Sequence, residues 1–241
     1  MPHETLRVDV EAGNLQSKAR EGRYRALDEW LGRRGLAALA TAHHADDQAE
    51  TLLMRLNRGS GLPGLAGVRQ SGTIPLGRGR LLRPLLSWRK SELETLVHGA
   101  GIEPVADPSN RDERFDRVRM RRALAEADWL DPVALARSAA LLGEAEAALE
   151  GVVAQTYSEC VRREAGGYGY SARGTDYIRL EVVRRILAEM GAKPPRAEIS
   201  RLAARLDAGE NASLAGILAV PSSENGGARW TFRPEPPRRS G

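Results

Sequence analysis

A short apolar run at residues 36–42 places the strongest limit on the fold of this chain. Segments with helical periodicity flank it, at residues 14–33 before the run and at residues 45–57 after it. A continuous apolar run of this length is typical of a strand that is buried on both faces of a parallel sheet. Together with a further short strand at residues 6–10, this order of strands and helices predicts an α/β domain. In such a sheet, ligands bind at the carboxyl ends of the strands.

Proline, glycine and serine set the expected structure of the segment that follows residue 57. The sequence Arg58-Gly-Ser-Gly61 predicts a loop. Residues 81–86 are expected to be extended, and Pro84 argues against a central sheet strand here because proline has no N–H to donate. Ser87 can cap a helix over residues 88–98.

The remainder of the sequence predicts a long helix and then a smaller mixed domain. Asp131-Pro132 is a favourable helix start, and the helical pattern extends to Glu164. Beyond it, a hairpin, two helices and two short strands around residues 214–220 and 229–233 are typical of an α+β domain. We therefore predict an N-terminal domain over residues 1–128, a connector helix over residues 129–165 and a small C-terminal domain over residues 166–241.

Composition excludes several classes of protein. The single cysteine, Cys160, cannot form an internal disulfide and cannot by itself supply a cysteine-based zinc or iron–sulfur site. There is no signal-like N-terminus and no apolar stretch of about 18 residues, so we expect a cytoplasmic protein. Lys+Arg number 36 against 32 Asp+Glu, a net charge of +4, and arginine supplies almost all of the positive charge. Coding bias explains the arginine content as well as an RNA partner does, so the charge permits RNA without requiring it.

Polar side chains follow the predicted buried strand, in the sequence Ala40-Thr-Ala-His-His-Ala-Asp-Asp-Gln-Ala-Glu-Thr51. His43, His44, Asp46 and Asp47 therefore lie where a ligand would bind, and helical geometry places Glu50 on the same face as the aspartates. Carboxylates crowded into about one turn repel each other, which Mg²⁺ or a cationic substrate would offset. An acidic cluster that merely suits the helix dipole explains the same spacing, and a zinc site with the histidines is a third interpretation.

A second charged pattern lies in an arginine-rich helix that we predict over residues 114–125. Arg114, Arg117 and Arg121 share one face of this helix, and an isolated stripe of like charges destabilises a helix. Phosphate groups of RNA would offset that repulsion. Pairing with neighbouring acidic side chains is the alternative, and the candidates are Asp112, Glu113 and Asp116.

Several segments, in this order along the chain, resemble the motifs of tRNA(Ile)-lysidine synthetases and cover residues 14–121. They are Ala19-Arg20-Glu-Gly-Arg23-Tyr24, Thr41-Ala-His-His-Ala-Asp-Asp-Gln-Ala-Glu-Thr51, Arg58-Gly-Ser-Gly61 with Gly64-Leu-Ala-Gly67, Arg83-Pro-Leu-Leu86, and Asp107-Pro-Ser-Asn110 followed by Phe115, Arg117 and Arg121. Val118 departs from the pattern, because asparagine is usual there. The region over residues 177–232 is similar in outline to the family's small substrate-binding domain.

The resemblance implies a fold and a reaction. The fold is an incomplete Rossmann-like, adenine nucleotide alpha hydrolase-like parallel sheet with flanking helices, as in the PP-loop ATP-pyrophosphatase superfamily. The reaction uses ATP to adenylate O2 of the wobble cytidine in a tRNA(Ile) with a CAU anticodon, after which the amine of free L-lysine attacks C2 and displaces AMP. ATP and Mg²⁺ are the expected cofactors. The sequence leaves the oligomeric state open, with a homodimer as one option.

The resemblance also assigns expected roles to individual residues. Asp47 and Glu50 match acidic positions of the family and are expected to hold Mg²⁺ or the lysine ammonium. Arg23 and His43 are expected to contact ATP, and Arg114, Arg117 and Arg121 to contact RNA. The acceptor of the lysine proton is left open among His44, Asp46 and Asp47.

One motif of the family is not found in these 241 residues. It is the Ser-Gly-Gly-x-Asp-Ser loop, whose backbone N–H groups cradle the ATP phosphates. A misassigned start codon, a fragment and a decayed protein each explain this. We expect the 241-residue chain to expose an apolar sheet edge, to fold poorly and to be inactive alone.

Rival interpretations belong to other classes. A tRNA thiolase of the same superfamily would need several cysteines for its iron–sulfur cluster, which the single cysteine disfavours. A second rival is another PP-loop enzyme that acts on a small molecule. The Arg-Gly-Ser-Gly and Asp-Pro-Ser-Asn segments favour the lysidine synthetase family over it. A degenerate tRNA-binding relic without catalytic activity is the remaining alternative.

Overall fold

The structure, a computed structural model, describes residues 3–8, 15–104, 116–224 and 226–236. The chain divides into two compact units, Met1–Glu146 and Ala147–Gly241. The predicted three-part division into domains stays a prediction. Among the described residues, no helix combines the length and the apolar character needed to cross a membrane.

The first unit contains a three-stranded sheet of mixed direction. Its strands are β1 (Ala38–Ala40), β2 (Ser71–Thr73) and β3 (Arg80–Leu82), in the order β1-β3-β2. β1 runs parallel to β3, with Leu39 opposite Leu81, whereas β2 runs antiparallel to β3. The predicted strand at residues 36–42 is therefore present but shorter, and it is only partly buried.

The expectation drawn from Pro84 is wrong. β3 is the central strand of the three. Pro84 does not interrupt it, because the strand ends at Leu82 and the proline lies beyond the hydrogen-bonded ladder. The strand β2, at Ser71–Thr73, was not expected from the sequence. All three of its residues are exposed, so it carries no apolar pattern that would reveal it.

Helices lie before, between and after these strands along the chain. They are α1 (Leu15–Arg34), α2 (Ala45–Asn57), α3 (Leu62–Leu65), α4 (Lys90–Gly99) and α5 (Asp116–Glu126). Tyr24 and Leu31 of α1 form a buried cluster with Ile74 and Leu81, against which Leu39 packs. The carboxylate of Asp28 on α1 accepts backbone N–H bonds from Arg78 and Gly79, at 3.2 and 2.8 Å. These contacts fix α1 on the sheet, and the predicted α/β class is confirmed.

A long helix, α6 (Pro132–Cys160), follows the first group of elements. Asp131 caps it, because its Oδ1 accepts the N–H of Val133 at 3.0 Å. The helix ends at Cys160, whereas the sequence predicts that it extends to Glu164. Residues Val161–Glu164 are instead the strand β4, paired antiparallel with β5, so sheet pairing overrides the helical pattern there.

The second unit is an antiparallel sheet with two helices. The strands β4, β5 (Gly167–Ser171), β6 (Ala212–Leu214), β7 (Ile217–Glu224) and β8 (Gly227–Pro234) lie in the order β4-β5-β8-β7-β6. The helices α7 (Asp176–Glu189) and α8 (Arg196–Asp207) pack on it. Tyr170, Trp230 and Phe232 alternate inward and are buried among apolar side chains of both helices. The rings of Tyr170 and Trp230 meet edge to face at 5.8 Å.

Gly67 lies in a loop that needs a glycine. Its φ is +64°, and a Cβ there would lie 2.4 Å from Oε1 of Gln48. The Gln48 side chain donates to the carbonyl of Val68 and accepts its N–H, both at 2.9 Å, so it cannot easily move away.

Gly67→Ala should lower the free energy of unfolding by at least about 1–2 kcal/mol, because a left-handed backbone disfavours a side chain. Urea unfolding measures this. Gly72→Ala is the matched control, since a Cβ at Gly72 meets nothing within 4 Å and its φ is not positive. Equal losses in the two variants would contradict the account of this loop.

Candidate functional site at the carboxyl edge of the first sheet

Backbone hydrogen bonds hold the connection between β1 and α2 at the edge of the sheet. The N–H of Thr41 donates to the carbonyl of Leu82 at 2.9 Å, and the N–H of Ala45 donates to the carbonyl of Trp88 at 2.9 Å. The segment over residues 41–44 is therefore anchored on both sides to the chain that leaves β3. This places the histidines and the start of α2 at the carboxyl ends of two parallel strands, as predicted.

A pocket of about 360 Å³ opens at this edge. Four of the residues predicted for the site line it and come from three separate segments, namely Arg23, His43, Asp47 and Arg117. The other lining residues are Tyr24, Leu27, Thr41 and Ala42. The fold thus brings cations, a carboxylate and an imidazole together around one small volume.

Glu50 lies beside the pocket and is bound to two arginines of α5. Its side chain is 1% exposed, and its oxygens accept from Nε and Nη2 of Arg121 at 2.7 and 3.3 Å. Nε of Arg117 lies 3.3 Å from Oε2 of the same carboxylate. The hydrogen bond to Glu50 is the main cause that raises the pKa of Arg121. The acidic cluster and the arginine stripe, two separate sequence patterns, are therefore partners.

The arginine stripe has further contacts on α2. Nη2 of Arg117 donates to Oγ1 of Thr51 at 3.2 Å, and that hydroxyl donates to the carbonyl of Asp47 at 2.8 Å. Asp116, one of the acids considered as a local partner, pairs instead with Arg58 and Arg119. Arg114, Asp112 and Glu113 lie outside the described residues. Contact of Arg117 and Arg121 with RNA stays a prediction.

Asp46 and Asp47 have different surroundings. Oδ2 of Asp46 accepts the N–H of Lys90 at 2.8 Å, so this carboxylate caps the first turn of α4. Oδ2 of Asp47 accepts the N–H of His44 at 3.2 Å and Oδ1 lies 3.9 Å from Nη2 of Arg121, and the residue lines the pocket. The ring nitrogens of His44 lie 3.4 Å from one oxygen of each aspartate. His44 therefore lies between the two carboxylates, although its Nδ1 makes no hydrogen bond, and it is not among the lining residues of the pocket.

The described residues contain no group of three or more histidine, cysteine, aspartate or glutamate side chains placed to hold a metal ion. Both oxygens of Glu50 already face guanidinium groups. Asp47 and Glu50 therefore do not fit a shared Mg²⁺ in this arrangement. Their assignment as magnesium ligands stays a prediction, and arginine is the partner of Glu50 here.

His43 lies half-buried in the wall of the pocket. Its Nδ1 lies 2.9 Å from Oγ1 of Thr41. Burial lowers the pKa of His43, and the positive charges of Arg83, Arg20 and Arg117 act in the same direction, while Asp47 opposes them. The lowered pKa favours the neutral imidazole, which can accept or donate one hydrogen bond to a ligand without adding charge.

Sequence reasoning missed Thr41 and Tyr24 as parts of the pocket. Thr41 was readable as the first polar residue after the strand, and Tyr24 as part of the segment shared with the lysidine family. Tyr24 is 2% exposed, and the guanidinium groups of Arg20 and Arg23 lie 5.1 and 5.9 Å from its ring centroid. These contacts hold Arg23 at the pocket.

Comparison with known proteins gives consistent results. A family model described as a PP-loop domain matches residues 1–128. The chain is 44% identical to the tRNA(Ile)-lysidine synthase of Novosphingobium aromaticivorans, over 99% of this chain and 73% of that protein. It is 35% identical to the enzyme of the same name from Zymomonas mobilis, again over 99% and 73%. A third relative of that name, from Pseudomonas aeruginosa, is 44% identical over 66% of this chain and 36% of its own length.

Arg121→Met should lower the free energy of unfolding by about 1–3 kcal/mol, because it leaves the buried Glu50 carboxylate with Arg117 alone. Urea unfolding measures the change. Arg119→Met, on the same helix, removes only an exposed pair and should change stability by less than about 0.5 kcal/mol. Similar values for the two variants would show that the Glu50 pairing does not hold α5 in place.

The lowered pKa of His43 predicts a pH dependence of stability. Below about pH 6.5 the unfolded chain binds a proton at this imidazole that the folded chain does not, so stability falls as the pH falls. His43→Gln should flatten this fall, whereas substitution of the exposed His98 by Gln should leave it unchanged. Urea unfolding at a series of pH values measures the slopes, and identical slopes for wild type and His43→Gln would contradict the assignment.

Proposed function

We propose, because this chain belongs to the tRNA(Ile)-lysidine synthase family of PP-loop proteins, that it is an ATP-dependent ligase that modifies tRNA(Ile) by forming lysidine. The chain has the fold class of that family, an α/β nucleotide-binding domain of Rossmann-like type. The pocket at the carboxyl edge of the first sheet is the observation that supports placing the reaction there. Residues from α1, the β1–α2 connection and α5 converge there.

The charges of the pocket suit the substrates of this reaction. Arg23 and Arg117 are cations at its wall and would face the phosphates of ATP or of the adenylated tRNA intermediate. Stabilisation of the negative charge that moves onto the departing phosphoryl groups is the main requirement of such a step. The neutral His43 would accept or donate a hydrogen bond there without cancelling the positive charge.

Free L-lysine is the second proposed substrate, and Asp47 is the residue best placed to receive it. Its carboxylate lines the pocket, whereas Asp46 is bound to the backbone of α4 and His44 lies between the two aspartates. Of the three groups that the sequence left open as proton acceptor, we infer that Asp47 serves. An ammonium group must lose a proton before it attacks C2 of the cytidine, and a carboxylate within reach both attracts the ammonium and accepts that proton.

Magnesium enters the proposal only with the nucleotide. When bound, Mg²⁺ neutralises the charge of the triphosphate. Glu50 would act indirectly, because it orients Arg117, which lines the pocket. A homodimer stays a proposal, as does contact of the arginine stripe with RNA phosphates.

The direct test is incorporation of labelled lysine into tRNA(Ile) with a CAU anticodon, in the presence of ATP and Mg²⁺. It is run on this chain and, as a positive control, on the Novosphingobium relative. Asp47→Asn should reduce incorporation by about 100-fold or more, as expected for a lost proton acceptor. Asp46→Asn should retain most activity, because an amide oxygen still accepts the Lys90 N–H.

The matched control is Asp128→Asn, which changes an exposed aspartate that does not line the pocket. Lysine in the tRNA after incubation with this chain supports the proposed function. If this chain binds the tRNA but incorporates no lysine while the Novosphingobium relative does, the result favours a tRNA-binding relic. Equal losses in Asp46→Asn and Asp47→Asn would overturn the choice of Asp47.

A further inference from the structure

Arg83 is a buried cation for which the described residues provide no acidic partner. The residue is 7% exposed, and its Nη1 donates to the carbonyl of Arg69 at 2.7 Å. Its Nε is buried and has no hydrogen-bond partner. Burial of a guanidinium without a carboxylate or phosphate is unfavourable, because the charge loses its water and gains little in return. An anion that accepts from this Nε–H would offset both the unpaired charge and the missing hydrogen bond.

The sheet register places Arg83 beside the pocket. Leu39 pairs with Leu81 and Ala40 with Leu82, and the N–H of Thr41 bonds to the carbonyl of Leu82. Thr41 and Arg83 are therefore the next neighbours across the two parallel strands. Side chains alternate along a strand, so both lie on the sheet face of Leu39 and Leu81, the face covered by α1.

Neighbouring groups make this end of the pocket positive. Thr41 lines the pocket, and Arg23 and Arg117 lie in its wall. The field of Arg83 reaches the pocket as well, because it is one of the charges that, after burial, lower the pKa of His43. Asp47 is the single acidic side chain among the described lining residues. The balance of charge therefore favours an anionic ligand.

We propose that Arg83 forms an oxyanion-binding subsite at the strand edge of the pocket, next to Thr41 and His43. The free Nε–H donates to one oxygen of the anion, while Nη1 stays on the carbonyl of Arg69 and holds the guanidinium plane in place. Only the identity of the anion rests on the proposed function. That reaction supplies two oxyanions, a phosphoryl group derived from ATP and the carboxylate of lysine.

The test measures thermal unfolding and ligand titration of the whole chain with pyrophosphate, AMP, L-lysine and L-lysinamide. Wild type should be stabilised by pyrophosphate and AMP, or by lysine but not by lysinamide, which lacks the carboxylate. Arg83→Met should weaken binding of that anion by about tenfold or more, the effect of one lost charge-assisted hydrogen bond. Without ligand, Arg83→Met should melt at the same temperature as wild type or higher, because an unpaired buried charge has been removed.

Arg80→Met is the matched control, since Arg80 is an exposed arginine on β3, the strand that Arg83 follows. It should leave anion binding unchanged. Arg83→Gln is the second variant, and it carries the binding test if Arg83→Met does not fold.

The proposal is overturned if no probe stabilises wild type, or if the Arg83 variants bind every probe as wild type does. A lower melting temperature with unchanged binding would show that Arg83 only supports the loop at Arg69. Failure of lysidine formation alone would remove the proposed function but would leave anion binding and its loss in Arg83→Met intact.

Discussion

The pairing of buried Glu50 with Arg117 and Arg121 is the interaction on which the rest of the site depends. A carboxylate that is 1% exposed would be strongly unfavourable alone, so α5 must lie where its arginines reach α2. This requirement places Arg117 at the pocket and leaves Asp47, one turn earlier on α2, as the acid that faces it. The pairing thereby offsets the repulsion between Glu50 and the aspartates of α2. It also places the Arg117 guanidinium and the Asp47 carboxylate in the wall of the same pocket.

Backbone contacts fix the other side of the site. The bonds from Thr41 to Leu82 and from Ala45 to Trp88, together with the Asp46 carboxylate on the N–H of Lys90, join the β1–α2 connection to the segment leaving β3. A connection held at three points keeps the imidazole of His43 and the carboxylate of Asp47 in a fixed relation. Asp46 therefore stabilises the backbone around the site. From the sequence alone it was as good a candidate for a chemical role as its neighbour Asp47.

The electrostatics of the pocket follow from burial as much as from composition. The formal charge of the chain is only +4, which says little about any one surface. Locally, Arg23 and Arg117 line the pocket with His43 and one carboxylate, and the positive charge of Arg83 also lowers the pKa of His43. Such an arrangement would attract an anion and leave one carboxylate for an ammonium, the combination that the proposed ligation of lysine to an adenylated tRNA requires.

The sequence by itself determined the α/β class and the resemblance to lysidine synthetases, and it predicted a candidate site after the first parallel strand. These depend on local periodicity and on motifs within short segments. Only the tertiary structure decided which charges meet. Glu50 and Arg121 are 71 residues apart, and local spacing offered Asp116 as an equally good partner for the arginines. Likewise, Pro84 did not prevent a central strand, because β3 ends at Leu82, before the proline. The helical pattern of α6 did not extend the helix to Glu164, because residues Val161–Glu164 pair with β5. Periodicity reports which face of an element is apolar; the partner of a buried charge is set by packing between elements, which no local pattern records.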